Sequence, residues 1–150
     1  MTERVDFYVL KSAAPKQRWA FACRLTEKAY LKDLRVVIVS DSAANAKAFD
    51  DLLWTFSDRS FVPHEVCRDG ESSDSDAAVR LTLAPETAGA ADLLVNLSDR
   101  LPLGLEQFTR IAEILDANPE RLRLGRDRFR TYREQKLTLE THQVADTAEI

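Results

Sequence analysis

Between Leu34 and Ser40 the chain reads Leu-Arg-Val-Val-Ile-Val-Ser, with four consecutive β-branched residues inside it. A strand with one wet face alternates apolar and polar residues, whereas a run that is apolar at every position needs cover on both faces. Such a run is the central strand of a layered sheet with helices on both sides. Val5 to Leu10 (Val-Asp-Phe-Tyr-Val-Leu) is a second run of strand length. Between the two, from Pro15 to Lys32, Trp19, Ala22, Cys23, Ala29 and Tyr30 recur at helical spacing, and proline is tolerated in a first turn. Strand, helix, strand in that order predicts parallel strands joined by right-handed crossovers.

The same reading continues along the chain. Asp41-Ser42 supplies a helix cap, followed by Ala44, Ala48, Leu52 and Phe56 at steps of four, so a second helix is expected to about Trp54. Ser60 to His64 is a short apolar segment stopped by proline, and Asp69 to Asp76 is an acidic, serine-rich loop. Val79 to Leu83 and Asp92 to Leu97 read as two more strands. Leu105, Phe108, Ile111, Ala112 and Leu115 share one helical face, which predicts a third helix; Asn118-Pro119 then opens a fourth, to about Lys136. The expectation is one α/β domain over residues 1–136, a three-layer sandwich around a mostly parallel sheet, with residues 137–150 as a frayed tail.

A sheet of this kind commonly binds nucleotides, but that requires glycines in the first strand-to-helix turn, where backbone amides approach phosphate. Here the turn is Lys11-Ser12-Ala13-Ala14-Pro15, without glycine and with a proline that has no amide to donate. The fold is therefore expected to be Rossmann-like, or like a P-loop NTPase, without a phosphate-binding loop. Cys23 and Cys67 stand alone, so neither a zinc site nor a cofactor is expected. No Gly-x-Ser-x-Gly elbow is present, and His64, beside Pro63, reads as a structural hydrogen-bonding residue. The N-terminal residues carry acids where a secretory signal carries bases, and no apolar run spans a bilayer. A cytoplasmic protein is expected.

The segment from Pro119 to Lys136 departs most from the rest. It holds seven cationic residues against three acidic ones in a chain whose net charge is −4. On a helix, Leu122, Gly125, Phe129 and Tyr132 form an apolar stripe, and Arg123, Arg126, Arg130 and Arg133 flank it. Guanidinium forks beside an aromatic floor suit a peptide that carries both a carboxylate and an apolar side chain. Two other readings of the same residues stand beside that one: a helix packed by its stripe with a solvated basic face, or a platform for single-stranded nucleic acid.

Several segments resemble the chi subunit family of bacterial DNA polymerase III: Phe7-Tyr8-Val9-Leu10, Asp51-Leu52-Leu53-Trp54, Ser60-Phe61-Val62-Pro63-His64, Glu113-Ile114-Leu115-Asp116, and Gly125 to Tyr132 with Arg133. The resemblance implies a non-catalytic subunit with two partners, a small protein called psi, through which it joins the clamp-loader complex, and the acidic C-terminal tail of single-stranded DNA-binding protein. Nucleic acid would then be met only indirectly. It further implies that Arg126 and Arg130 meet the tail's carboxylates with Phe129 lining the pocket, in a surface that also includes Arg123 and Tyr132. Relatives often carry Tyr where this chain has Phe129, which leaves packing without a hydroxyl. Trp54, Phe61, Val62 and Pro63 are the candidate psi-facing surface, with burial in the protein's own core as the competing reading. An enzyme or nucleotide-binding protein on the same fold is the alternative function.

Overall fold

A computed structural model describes residues 2–56, 62–66 and 77–144. The elements run β1 (Arg4–Leu10), α1 (Pro15–Leu31), β2 (Val36–Val39), α2 (Ala43–Thr55), β3 (His64–Val66), β4 (Val79–Thr82), β5 (Ala91–Asn96), β6 (Phe108–Leu115), α3 (Pro119–Glu134) and β7 (Thr138–Val144). The seven strands form one sheet in the order β3-β4-β2-β5-β6-β1-β7, and every pairing is parallel. β2 lies third from one edge with all four residues buried, as its unbroken apolar run requires.

The faces of the sheet build two separate cores. On one side Leu10, Ile38, Val95, Ala112 and Ile114 meet Phe21, Ala22 and Cys23 of α1 and Ala46, Phe49 and Leu53 of α2. On the other, Val5, Phe7, Val37, Leu94, Ile111 and Leu115 meet Tyr132, Leu122 and Phe129 of α3. This is the expected three-layer α/β sandwich. Ser42 caps α2 by accepting from the Asn45 amide at 3.1 Å, and Asn118 caps α3 by accepting from the Arg121 amide at 3.1 Å.

Two expectations are corrected. Residues 108–115 form a strand, not a helix. As a strand buried on both faces, β6 places Ile111 and Leu115 in one core and Ala112 and Ile114 in the other, so a near-continuous apolar run imitates helical spacing. Residues 138–144, expected to fray, form the edge strand β7, paired with β1 from Arg4 opposite Thr138 to Leu10 opposite Val144. An edge strand is half wet, and Thr-Leu-Glu-Thr-His-Gln-Val is accordingly too polar to announce itself.

Gly125 sets the distance between α3 and the sheet. A Cβ there would stand 2.6 Å from Leu115 Cδ1 and 3.1 Å from its Cδ2. Alanine would gain about 1 kcal/mol of helix propensity, but overpacking a buried leucine costs roughly 1 to 3 kcal/mol. Gly125→Ala is expected to lower folding stability by about 1 kcal/mol net, read from the denaturation midpoint.

Candidate functional site

α3 rests on the sheet through Gly125, Arg128 and Tyr132, the three residues of the helix that are buried. Tyr132 was expected at the binding surface and is not there. It has no exposed area, and its hydroxyl donates to Glu113 Oε2 at 2.7 Å. Burial and the neighbouring Glu113 carboxylate push the phenol's pKa far up, so it remains a donor. Arg128 is turned inward as well, its Nε and Nη2 each 3.1 Å from a different Glu113 oxygen.

The outward side carries the remaining expected residues. Arg123 is bound by Glu120 at 3.0 and 2.5 Å and lies 3.8 Å from Asp127, while Arg130 donates to Asp127 at 2.6 Å. Hydrogen bonding to Arg123 holds Glu120 below the usual carboxylate range. Arg126 is exposed and has no carboxylate partner among the described residues. Phe129 is half-buried: its ring meets Phe7 at 5.3 Å between centroids, and the Arg133 guanidinium lies 5.9 Å from its centroid. The structure thus brings Arg126, Phe129, Arg130 and Arg133 onto one surface, with Arg123 tied into an acidic network beside them. Salt bridges between exposed partners of this kind contribute little and exchange readily for an incoming carboxylate.

Of the second group, Trp54 lies in the last turn of α2 with 41% of its surface exposed. Its ring lies 4.1 Å from that of His64, which is fixed by the Val62 carbonyl at 2.7 Å and Asp50 Oδ1 at 2.6 Å. The structural role expected of His64 is therefore the one it has, and it holds Trp54 in place. Val62 is buried in the α1–α2 core and offers no surface to a partner, which corrects that expectation; Pro63 is half-buried. Phe61 and Cys67 lie outside the described residues. Burial pushes the Cys23 thiol up to about 12, so it packs as an apolar group.

Where an open parallel sheet would hold a nucleotide, at the carboxyl ends of its strands, this chain places a depression of about 170 Å³ between Pro15, Arg18, Ser40 and Arg121. Arg18 crosses it, donating to the Leu97 and Ile114 carbonyls at 2.9 and 2.8 Å. Burial, and then the nearby Arg121, bring the Arg18 pKa down to about 10. Arg121 is itself held by Asp116 at 3.1 Å and Asp99 at 3.3 Å. Arg18 and Arg121 are thus already engaged by other groups of the chain, and the volume of the depression is below the roughly 300 Å³ at which ligand pockets begin.

At the other end of β1, Asp6, Glu140 and His142 come within 4.8 Å of one another. The grouping carries its own cations: Arg110 and Arg4 reach Asp6 at 2.8 and 2.9 Å, Arg4 also binds Glu140, and His142 Nε2 lies 2.9 Å from Asp6. Burial alone would raise the Asp6 pKa, but hydrogen bonds from Arg110, His142 and Arg4 outweigh it and hold the carboxyl low. A depressed native pKa means that Asp6 contributes its full stabilisation above the unfolded value, about pH 4, and loses it as pH falls through the lower native value. Acid titration of folding stability should show a steeper fall below about pH 4 in the wild type than in Asp6→Asn.

Comparison with known proteins adds four findings. Residues 1–140 match the family model of the DNA polymerase III chi subunit, HolC. The chain is 37% identical over 141 residues to the DNA polymerase III subunit chi of Pseudomonas aeruginosa, covering 94% of this chain and 96% of that one. It is 26% identical over 145 residues to the subunit of the same name from Haemophilus influenzae, covering 96% and 99%. Among solved structures, the crystal structure of T4 UvsW superposes with a TM-score of 0.67 at 11% identity, over 96% of this chain and 42% of its own; that likeness is one of fold.

Proposed function

The chain belongs to the DNA polymerase III chi subunit family, and on that premise we propose that it is a non-catalytic adaptor. One surface, the outward side of α3, takes the acidic, apolar-ended C-terminal tail of single-stranded DNA-binding protein. A second, around Trp54, takes the psi subunit and through it the clamp-loader complex. The observation that carries the first assignment is Arg126, a guanidinium without a carboxylate partner among the described residues, on the same surface as the half-buried Phe129 ring. Such a pair supplies a charge-assisted contact and an apolar one side by side, which an acidic peptide with a terminal aromatic residue can satisfy together. For the second, Trp54 is a large aromatic held rigid at the surface by His64, the kind of anchor that dominates protein interfaces.

A synthetic peptide of several acidic residues ending in an apolar pair, with terminal phenylalanine and a free carboxylate, tests the reading by calorimetric titration. Binding should be about micromolar at low salt and weaken steadily as sodium chloride is raised, because ion pairs at an exposed surface are screened. No heat at about millimolar peptide, or affinity indifferent to salt, would reject the assignment.

A further inference from the structure

Glu113 of β6 is fully buried beneath α3, and four donor contacts from two residues converge on its carboxylate besides the Tyr132 hydroxyl. Two come from the Arg128 fork at 3.1 Å each, and Asn96 Nδ2 of β5 lies 3.0 and 3.1 Å from the two oxygens; with Tyr132 at 2.7 Å, the contributing side chains are Arg128, Asn96 and Tyr132. The same side chains reach further: Arg128 Nη1 donates to the Asp99 carbonyl at 2.9 Å, and Asn96 Nδ2 to the Arg100 carbonyl at 3.0 Å. One carboxylate thus joins the helix, two strands and the loop that follows β5.

Apart from Arg121, which binds Asp116 and Asp99 from the first turn, the remaining contacts of α3 with the sheet are apolar, chiefly Gly125 on Leu115 and the Tyr132 and Phe129 rings on Phe7. Apolar contacts are non-directional and leave a helix free to turn slightly about its axis, whereas a bidentate ion pair is not satisfied in any other orientation. At about 100° per residue, Arg126 and Arg130 each stand about 200° around the helix from Arg128, one on either side in sequence. Drawing Arg128 inward therefore turns both of them outward.

We propose that Glu113, Arg128 and Tyr132 are positioning residues for peptide binding, which clamp the rotation of α3 so that Arg126 and Phe129 are presented together. The proposal rests on the peptide-binding reading of α3 and adds residues that never touch the peptide. It differs from a purely stabilising role in one respect, namely that affinity should not return when stability does. Replacing a buried ion pair by apolar groups of similar volume often preserves or raises stability. The variant Glu113→Leu/Arg128→Met/Tyr132→Phe removes the clamp and leaves no hydroxyl stranded.

The test measures melting temperature, peptide affinity and the nuclear Overhauser contact between the Phe7 and Phe129 rings in wild type and variant. The expected result is a folded variant that binds the peptide roughly tenfold more weakly, with the ring contact broadened or lost, since a site loosened by about an ångström loses much of its function. A folded variant that binds within about twofold of wild type and keeps the ring contact overturns the proposal. Should the triple variant not fold, Arg128→Lys, which keeps the charge but loses the fork, is read the same way: weakened binding in a folded protein supports the clamp, and unchanged binding overturns it. If the wild type itself binds no peptide, the functional reading fails, while the ring contact still decides whether the clamp orients α3.

Discussion

Arg128→Ala is expected to remove about 3 to 5 kcal/mol of folding stability, more than any substitution on the outward side of the same helix. The reason is the charge it leaves behind. Glu113 has no exposed surface, and Arg128 is the cation that faces it with two of its three guanidinium nitrogens. Without the guanidinium, the carboxylate must remain ionised without a counter-charge or take up a proton inside the core, and both are costly. The Asp99 carbonyl loses its donor in the same step. Urea denaturation of Arg128→Ala beside Arg126→Ala provides the comparison: the first should shift the midpoint strongly, the second within about 0.5 kcal/mol of wild type, as for an exposed residue without an ion pair among the described residues.

The binding experiment should reverse that order. Arg126→Ala is expected to cost about 1 to 3 kcal/mol of peptide affinity, a loss of roughly 5- to 150-fold, while leaving the fold intact. Among the described residues Arg126 has no carboxylate to give up before it can bind an incoming one, whereas Arg130 and Arg123 must exchange Asp127 and Glu120 for one. Substituting Arg130 or Arg123 should accordingly cost less than substituting Arg126. Equal affinities of wild type and Arg126→Ala would remove this residue from the site.

The parts of this molecule that could be read from its residues are those where one physical requirement acts alone. Val36 to Val39 can only be a strand covered on both faces, and it is. Ser42 and Asn118 announce the starts of α2 and α3 because an oxygen is needed there for orphan amides. β6 imitates a helix because burial on both faces erases the period that separates strand from helix, and β7 leaves little trace because an edge strand needs few apolar residues.

The site is legible in composition but not in helical phase. From Arg121 to Arg133 arginines recur so often that inward and outward ones look alike, and Arg128 has the same sequence surroundings as Arg126 and Arg130. Gly125 was the usable signal. A glycine retained inside a helix marks close approach to a neighbour, and the positions three and seven residues further on, Arg128 and Tyr132, share its face. The partner that makes a buried arginine tolerable, Glu113, lies in the segment read as a helix, so the pair could not be anticipated.

Binding of an acidic, apolar-ended peptide on the outward side of α3 can be located residue by residue. The most direct measurement is the change in amide and side-chain nuclear magnetic resonance shifts as the unlabelled peptide is titrated into labelled protein. Perturbations should concentrate at Arg126, Phe129, Arg130 and Arg133 and spare Trp54 and the Arg18 crevice. Perturbations centred on either of those other places, with α3 unmoved, would contradict binding at α3.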